Sequence, residues 1–149
     1  MADNPPSADR VSPVVLRLDQ RSGVPTYLQL VQQVEQALRL GYLKHGDQLP
    51  RVKDLVADLA INPNTVLKAY RELERRGLAS GRPGVGTFVA GTLAPIAAPE
   101  RSALRRSLDR WLRSAEQAGL DEAGIRALVN DALHERGTAA PPNDQRGVA

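Results

Sequence analysis

Apolar residues recur at spacings of three and four in five stretches of this chain, and each stretch predicts an amphipathic helix. The first stretch has Tyr27, Val31, Val34 and Leu38 and predicts a helix over residues 26–40. The second follows Pro50 with Val52, Leu55, Val56 and Leu59, and the third has Val66, Ala69, Tyr70 and Leu73. The last two have Leu104, Leu108, Trp111, Leu112 and Ala115, then Ile125, Leu128, Val129, Ala132 and Leu133. Before the first helix, residues 14–18 predict a strand or an extended arm.

The third helix has well-marked ends. Asn62 is a suitable N-cap, and Pro63 stands at the first helical position, where its missing N–H costs nothing. Gly77 stands where a left-handed residue would end the helix. The start and the end of this helix are therefore predicted from local chemistry as well as from its apolar stripe.

Polar residues gather on another face of the first two turns of this helix. Asn64, Thr65 and Lys68 carry amide, hydroxyl and ammonium groups, which suit base edges and phosphates. Asn62 adds a further amide, and the N-terminus of a helix itself attracts phosphate. The alternative, for this helix taken alone, is an ordinary amphipathic surface helix.

The flanking sequence favours a DNA recognition helix. Only residues 60–62 separate the second helix from the third, a length typical of helix-turn-helix pairs. Residues 78–80 and 87–89 predict a two-stranded hairpin around GRPGVG, whose Gly84 allows a tight loop that lies close to DNA and contacts it. Arg82 at the hairpin tip is placed to reach a narrow minor groove or a phosphate. The predicted fold is mainly α with a small β wing: an N-terminal winged helix-turn-helix plus a short C-terminal helical hairpin for dimerisation.

The segment LPRVKDLVADLAINPNTVLKAYRELERRGLASGRPGVGTFV resembles the DNA-binding domain of the GntR-type bacterial transcription regulators. The family pattern is present as Leu49-Pro50, Lys53, Thr65-Val66 and Gly86-Thr87-Phe88-Val89. The upstream SGVPTYLQLVQQVEQALRLGYLKHGDQLP is similar to the family's first helix and the turn after it, and the NPNTV run resembles the YtrA-like subfamily of small regulators. The resemblance covers about residues 14 to 92. It implies a sequence-specific DNA-binding transcription regulator. A repressor is expected, with a transporter operon and its own gene as the targets that the resemblance suggests.

Two positions depart from the family pattern. Arg51 and Asp54 stand where the family often has the Ser and Glu of a capping box, so the second helix is expected to lose about 1 kcal/mol of N-cap stabilisation. Lys53 stands where the family commonly has an arginine, and lysine keeps the charge without the two-pronged contact to guanine. We expect Arg51, Lys53 and Arg82 to bind the DNA backbone or the minor groove.

The charge distribution agrees with a polyanionic partner. Residues 14–90 contain 11 basic and 7 acidic residues, whereas residues 97–137 contain 7 of each. The basic excess therefore lies in the half that is predicted to bind DNA, where counterion release would supply affinity. Mixed charges on helices are also commonly just solvated, so this is a consistency check only.

The C-terminal part predicts two helices over residues 100–137, with residues 118–120 as the turn and Asp121 as an N-cap. A unit of about 37 residues is too small to bury both apolar stripes. We expect a homodimer that buries Leu104, Leu108, Trp111, Leu112, Ile125, Leu128, Val129 and Leu133. The alternative is packing against the chain's own winged helix. The predicted organisation is a winged helix over 14–92, a linker over 93–99, and disordered tails over 1–13 and 138–149.

Other classes of function have weaker support. The chain has no cysteine, and His45 and His134 have ordinary structural explanations, so neither a metal site nor a cofactor is predicted. No apolar cleft is evident around its paired carboxylates, and we predict that it is not an enzyme. The composition indicates a cytoplasmic protein, on the nucleoid when bound, with no membrane contact. The rival interpretation is a winged helix used as a protein-interaction module, and a small-molecule effector of unknown identity stays open as a partner.

Overall fold

The computed structural model describes residues 12–93 and 95–138. Its elements are α1 (Thr26–Arg39), α2 (Val52–Leu59), α3 (Pro63–Arg75), β1 (Ala79–Arg82), β2 (Gly86–Val89), α4 (Ala98–Gln117) and α5 (Glu122–Thr138). This is a mainly helical chain with a two-stranded antiparallel wing, and it confirms the predicted fold class. Most of both predicted tails and residue 94 of the predicted linker lie outside the described residues. Helix α4 begins at Ala98, inside the predicted linker, and α5 includes Thr138.

The winged-helix part has a continuous apolar core. Its members come from the arm, the three helices, the wing and the loops between them: Leu16, Leu30, Val31, Val34, Ala37, Leu38, Leu43, Leu49, Leu55, Val66, Ala69, Tyr70, Leu73, Leu78, Ala79 and Val89. The stripe of α3 is fully buried, as its spacing predicted. Tyr27 of the α1 stripe is only partly buried, at the edge of the core.

Local chemistry sets the two ends of α3. The Asn62 Oδ1 atom accepts a hydrogen bond from the Asn64 N–H at 2.8 Å, and Pro63 occupies the first turn, which confirms the predicted N-cap. At the other end Gly77 has a φ of +74°, and the Leu78 N–H donates to the Leu73 carbonyl at 2.9 Å. This is the glycine-terminated C-cap that the sequence predicted.

The turn between α2 and α3 contains a strained residue. Ala60 has φ 52° and ψ 46°, which is the left-handed region that only glycine adopts without cost. At the other end of α2, Arg51 stands at the N-cap without a side-chain capping bond. Helix α2 therefore lacks a favourable cap residue at both ends, and its position depends on its packing against α3.

The wing pairs β1 with β2 in the register Ala79↔Val89 to Arg82↔Gly86. The structure adds a third segment that the sequence analysis did not predict. The Leu49 N–H donates to the Thr87 carbonyl and the Val89 N–H donates to the Asp47 carbonyl, both at 2.8 Å. The loop before α2 thus pairs with β2 and fixes the wing to the entrance of α2.

Residues 14–18 form an arm without strand pairing. Leu16 is buried, and the backbone beside it is bound by side-chain amides of α1. The Gln33 Oε1 atom accepts from the Arg17 N–H at 2.8 Å while its Nε2 group donates to the Arg17 carbonyl. Gln29 makes the same two bonds to Asp19. The two glutamines satisfy backbone groups that a neighbouring strand would otherwise satisfy.

The segment that enters α4 packs closely on the end of α1. The Arg101 guanidinium donates to the Leu40 carbonyl at 2.8 Å and lies 4.7 Å from the centre of the Tyr42 ring. Gly41, at φ +75°, leaves the space for this contact, because a Cβ there would lie 2.9 Å from Arg101 Nη1 and 3.2 Å from the Ile96 carbonyl oxygen. A cation at the C-terminus of a helix is also favoured by the helix dipole.

The chain divides into two compact units, and the division falls after Arg101. In the second unit Gly119, at φ +93°, ends α4, and the Asp121 Oδ1 atom accepts from the Gly124 N–H at 2.8 Å. The predicted N-cap of α5 is thus confirmed. Ala115 is the one buried residue among the described residues of this unit.

Candidate nucleic-acid interface

A groove separates the start of α2 from the wing, and we call it the wing groove. Its walls include Arg51 and Lys53 on one side and Arg82 and Gly84 on the other. All four were predicted as DNA contacts, Arg51 and Lys53 from the family pattern and Arg82 and Gly84 from the hairpin. The fold brings them around one concavity, where three cationic side chains create a positive potential that suits a phosphate backbone.

Tyr70 connects the recognition helix α3 to this groove. Its hydroxyl donates to the Pro50 carbonyl, directly before α2. Burial raises the pKa of Tyr70 far above its ordinary value, so the phenol stays protonated and keeps donating even in alkaline solution. This bond holds the start of α2, and with it Arg51 and Lys53, at a fixed place relative to α3.

The tip of the wing is shaped by a tight turn. Gly84 has a φ of +73°, and the Val85 N–H donates to the Arg82 carbonyl at 3.0 Å. The Arg82 guanidinium lies 4.5 Å from the centre of the Phe88 ring. This cation–π contact supports the arginine along the wing surface and so reduces the side-chain entropy that it would lose on binding.

The predicted recognition face of α3 is only partly free. Asn64 is exposed and Thr65 is half-buried. The Oδ1 atom of Asn62 is already used in the helix cap, which leaves its amide nitrogen as the group for DNA. The Lys68 ammonium lies 4.1 Å from the centre of the Tyr27 ring on α1. The structure therefore directs Lys68 towards α1, which the sequence pattern could not show because the two residues are far apart in the chain.

The arginines farther along α3 were not among the residues predicted to bind DNA. Arg71 is exposed and lies on the same face as Asn64 and Lys68. The seven-residue spacing from Asn64 to Arg71 could have identified it, since i and i+7 share a helix face. Arg71 was missed because the predicted contacts on α3 all came from its first two turns.

The last turn of α3 carries an ion-pair network. Glu72 accepts from Arg75 at 2.9 Å and from Arg76 at 2.9 Å, and Arg76 also pairs with Glu35 of α1 at 2.6 Å. Hydrogen bonds from Arg75 and Arg76 lower the pKa of Glu72 from 4.5 to about 2. The network ties the end of α3 to α1 and engages both arginines within the protein.

The part of the chain that the structure describes contains neither a membrane-spanning helix nor a cluster of metal-binding side chains. None of its helices combines the length and the apolar character that crossing a membrane requires. Within residues 12–93 and 95–138, no three His, Cys, Asp or Glu side chains gather closely enough to hold a metal ion.

A capped recognition helix, a short helix before it and a cationic wing groove beside it define a winged helix-turn-helix DNA-binding transcription regulator. Comparison with known proteins agrees. A model of the bacterial regulatory proteins of the gntR family matches residues 26–89. The transcriptional repressor YtrA of Bacillus subtilis (strain 168) is 33% identical over 108 residues, which are 72% of this chain and 83% of that protein.

Two further comparisons extend the match. The uncharacterized transcriptional regulator YhcF of Bacillus subtilis (strain 168) is 32% identical over 100 residues, 67% of this chain and 83% of that one. The crystal structure of a transcriptional antiterminator from Listeria monocytogenes EGD-e superposes with a TM-score of 0.53 and 28% identity, covering 82% of this chain and 92% of that one. The chain belongs to the GntR family of bacterial regulatory proteins, and its similarity to YtrA confirms the predicted subfamily resemblance.

Proposed function

We propose that this regulator represses transcription by binding, as a homodimer, to a pseudo-palindromic operator. The observation that carries the proposal is the wing groove beside α3. Arg51 and Lys53 would bind phosphates, Arg82 would enter the minor groove or bind its backbone, and Asn64 and Thr65 would contact base edges in the major groove. Repression is supported by the similar protein YtrA, which is named a transcriptional repressor.

Base reading is assigned to Asn64 and phosphate binding to Lys53. We expect the full chain to enrich one sequence from a pool of randomised duplexes. Asn64→Ala should weaken binding to that duplex by about 1–3 kcal/mol and leave binding to random DNA nearly unchanged, as measured by fluorescence anisotropy. Enrichment of no sequence would contradict sequence-specific recognition and favour a protein-interaction module. Equal losses on both duplexes would contradict base reading by Asn64.

Lys44 offers a matched control for Lys53, because both are exposed lysines of the winged helix and only Lys53 lines the wing groove. Lys53→Ala should reduce the slope of log affinity against log salt by about one, since one fewer counterion is released. Lys44→Ala should leave the slope unchanged. Equal slopes for the two variants would exclude a phosphate contact by Lys53.

The proposed dimerisation region is residues 100–137, and residues 14–92 are the proposed DNA-binding domain. The eight predicted interface residues remain accessible in the chain. Leu112 and Ile125 are half-buried, and the other six are exposed, from 37% for Trp111 and Val129 to 62% for Leu133. A helical unit with this much exposed apolar surface is expected to associate, and a two-fold dimer would present two recognition helices to two half-sites.

Sedimentation equilibrium of the full chain tests the association. A dimer is expected, and Trp111→Ala should raise its dissociation constant about tenfold or more, because buried tryptophans are frequent hot spots. Arg113→Ala, an exposed neighbour on α4, is the control and should have little effect. A monomer at every concentration would contradict the dimer and favour packing of these helices within one chain.

The proposed function also includes localisation in the cytoplasm and a small-molecule effector of unknown identity as a partner.

A further inference from the structure

We propose that Arg71 binds a DNA phosphate at the border of the major groove, a contact that the predicted set of site residues does not include. The inference rests on the proposed function, because it assumes that α3 lies in the major groove. It adds one residue of α3 to the interface and assigns it a phosphate rather than a base.

The exposed face of α3 contains four polar residues in line. Asn64, Lys68, Arg71 and Arg75 follow one another at spacings of four, three and four, so they share one side of the helix. Val66, Ala69, Tyr70 and Leu73 are buried on the opposite side. A ligand that approaches Asn64 along this face would therefore meet the other three side chains as well.

Arg71 differs from the other cations on this face in its intramolecular contacts. Lys68 lies over the Tyr27 ring, and Arg75 donates through Nε and Nη2 to the Glu72 carboxylate. Arg76, one residue farther along the helix, is held by both Glu72 and Glu35. Within residues 12–93 and 95–138, Arg71 has neither an ion pair nor a side-chain hydrogen bond. Among the three cations on this face, Arg71 is the one that no carboxylate or aromatic ring of the described residues contacts.

The position along the helix axis indicates a phosphate. Arg71 lies seven residues after Asn64, about 10 Å along the axis at 1.5 Å per residue. When the N-terminal residues of a recognition helix contact base edges, a side chain that distance away approaches the strand that borders the groove, which is about 12 Å wide. A long guanidinium side chain suits a phosphate at that border.

The test compares Arg71→Ala with Arg75→Ala, two truncations of exposed arginines on one helix face. Affinities for the enriched duplex and for a random duplex are measured between 50 and 200 mM salt. Arg71→Ala should weaken binding to both duplexes alike and lower the salt slope by about 0.9. A fourfold increase in salt should then weaken binding by the variant about 3.5-fold less than it weakens binding by the parent chain. Arg75→Ala should keep the parent slope, because its charge is already paired with Glu72.

Three results would overturn the assignment. An unchanged salt slope for Arg71→Ala would mean that it binds no phosphate. A loss on the enriched duplex alone would make Arg71 a base contact instead. An equal slope change in Arg75→Ala would mean that the effect is general surface charge. Because the salt slope on random DNA is measured too, failure of the parent chain to enrich a sequence would count against the proposed operator function and not against Arg71. Circular dichroism of both variants checks that they are folded.

Discussion

The two units of this chain use their apolar residues in opposite ways. The winged helix buries sixteen of them in one core, and the fully buried set includes Leu30, Leu38 and Leu73. In the described part of the C-terminal unit only Ala115 is buried, while Leu104 and Leu133 are about three-fifths exposed. Both units have regular helices, and each has one with a side-chain N-cap, at Asn62 in the first unit and at Asp121 in the second, so secondary structure does not distinguish them. Burial does: the first unit has an internal core that stabilises it, whereas the stability of the second is proposed to come from association.

A truncation in each unit gives the largest expected contrast. Leu73→Ala removes a fully buried side chain and should lower the free energy of unfolding of the winged helix by about 2–5 kcal/mol. Leu104→Ala removes an exposed one and should cost less than about 0.5 kcal/mol at low protein concentration, with a larger cost where the chain associates. Urea unfolding at two protein concentrations measures both. Similar, concentration-independent losses for the two variants would break the contrast between the units.

The junction before the second unit can be tested at Gly41. Gly41→Ala would combine a positive φ with crowding against Arg101 and the Ile96 carbonyl, and should cost about 2–3 kcal/mol. Gly46→Ala is the matched control, because its φ is +88° and a Cβ there meets nothing within 4 Å. It should cost only about 1 kcal/mol. Thermal unfolding compares the two, and equal losses would mean that the contact with residues 96 and 101 contributes little.

A smaller effect of opposite sign is expected in the turn of the helix-turn-helix. Ala60→Gly should stabilise the winged helix by about 0.5–1 kcal/mol, because relief of the left-handed strain exceeds the extra freedom of glycine in the unfolded chain. Ala57→Gly, in the middle of α2, should instead destabilise by about 0.5–1 kcal/mol. A loss of stability in both variants would show that the turn is not strained.

The smallest expected effect is a pH dependence of the α1–α3 ion pairs. Folding lowers the pKa of Glu72 from 4.5 to about 2, so its carboxylate contributes stability that is fully present above pH 4.5 and is lost as the pH falls through about 2. Melting temperatures of the parent chain and Glu72→Gln should therefore differ at pH 6 and converge towards pH 2. Glu122→Gln, whose pair with Arg126 is highly exposed, is the control and should change the melting temperature less. A constant difference between the parent chain and Glu72→Gln at all pH values would exclude titration of Glu72 as its source.

Local features of the fold were predictable from the sequence because their causes lie within a few residues. The Asn62 and Asp121 caps each join one side chain to a backbone N–H at most three residues away. The end of α3 at Gly77 joins two backbone groups five residues apart. The apolar spacing likewise predicted α1 and the buried stripe of α3. The strained Ala60 was not predicted, since alanine is usually a good helix residue and its φ here is imposed by the packing of α2 on α3.

Contacts between distant parts of the chain were not predictable in this way. The Gln33 bonds to the arm, the pairing of residues 47–49 with β2, and the position of Arg101 against Leu40 join residues 16 to 61 positions apart. The same limit applied to the candidate site. The sequence selected Lys68 for its face of the helix, whereas only the fold places its ammonium over Tyr27 and leaves Arg71 without an ion pair among the residues that the structure describes.

The central claim is that the first unit binds DNA and the second joins two such units. Hydroxyl-radical footprinting of the full chain on the duplex that it enriches tests both parts together. We predict two protected half-sites related by two-fold symmetry, with centres one helical turn or a multiple of it apart, about 10 base pairs per turn. A single protected half-site would contradict association through the helical unit. Uniform protection without half-sites would contradict sequence-specific binding by the winged helix.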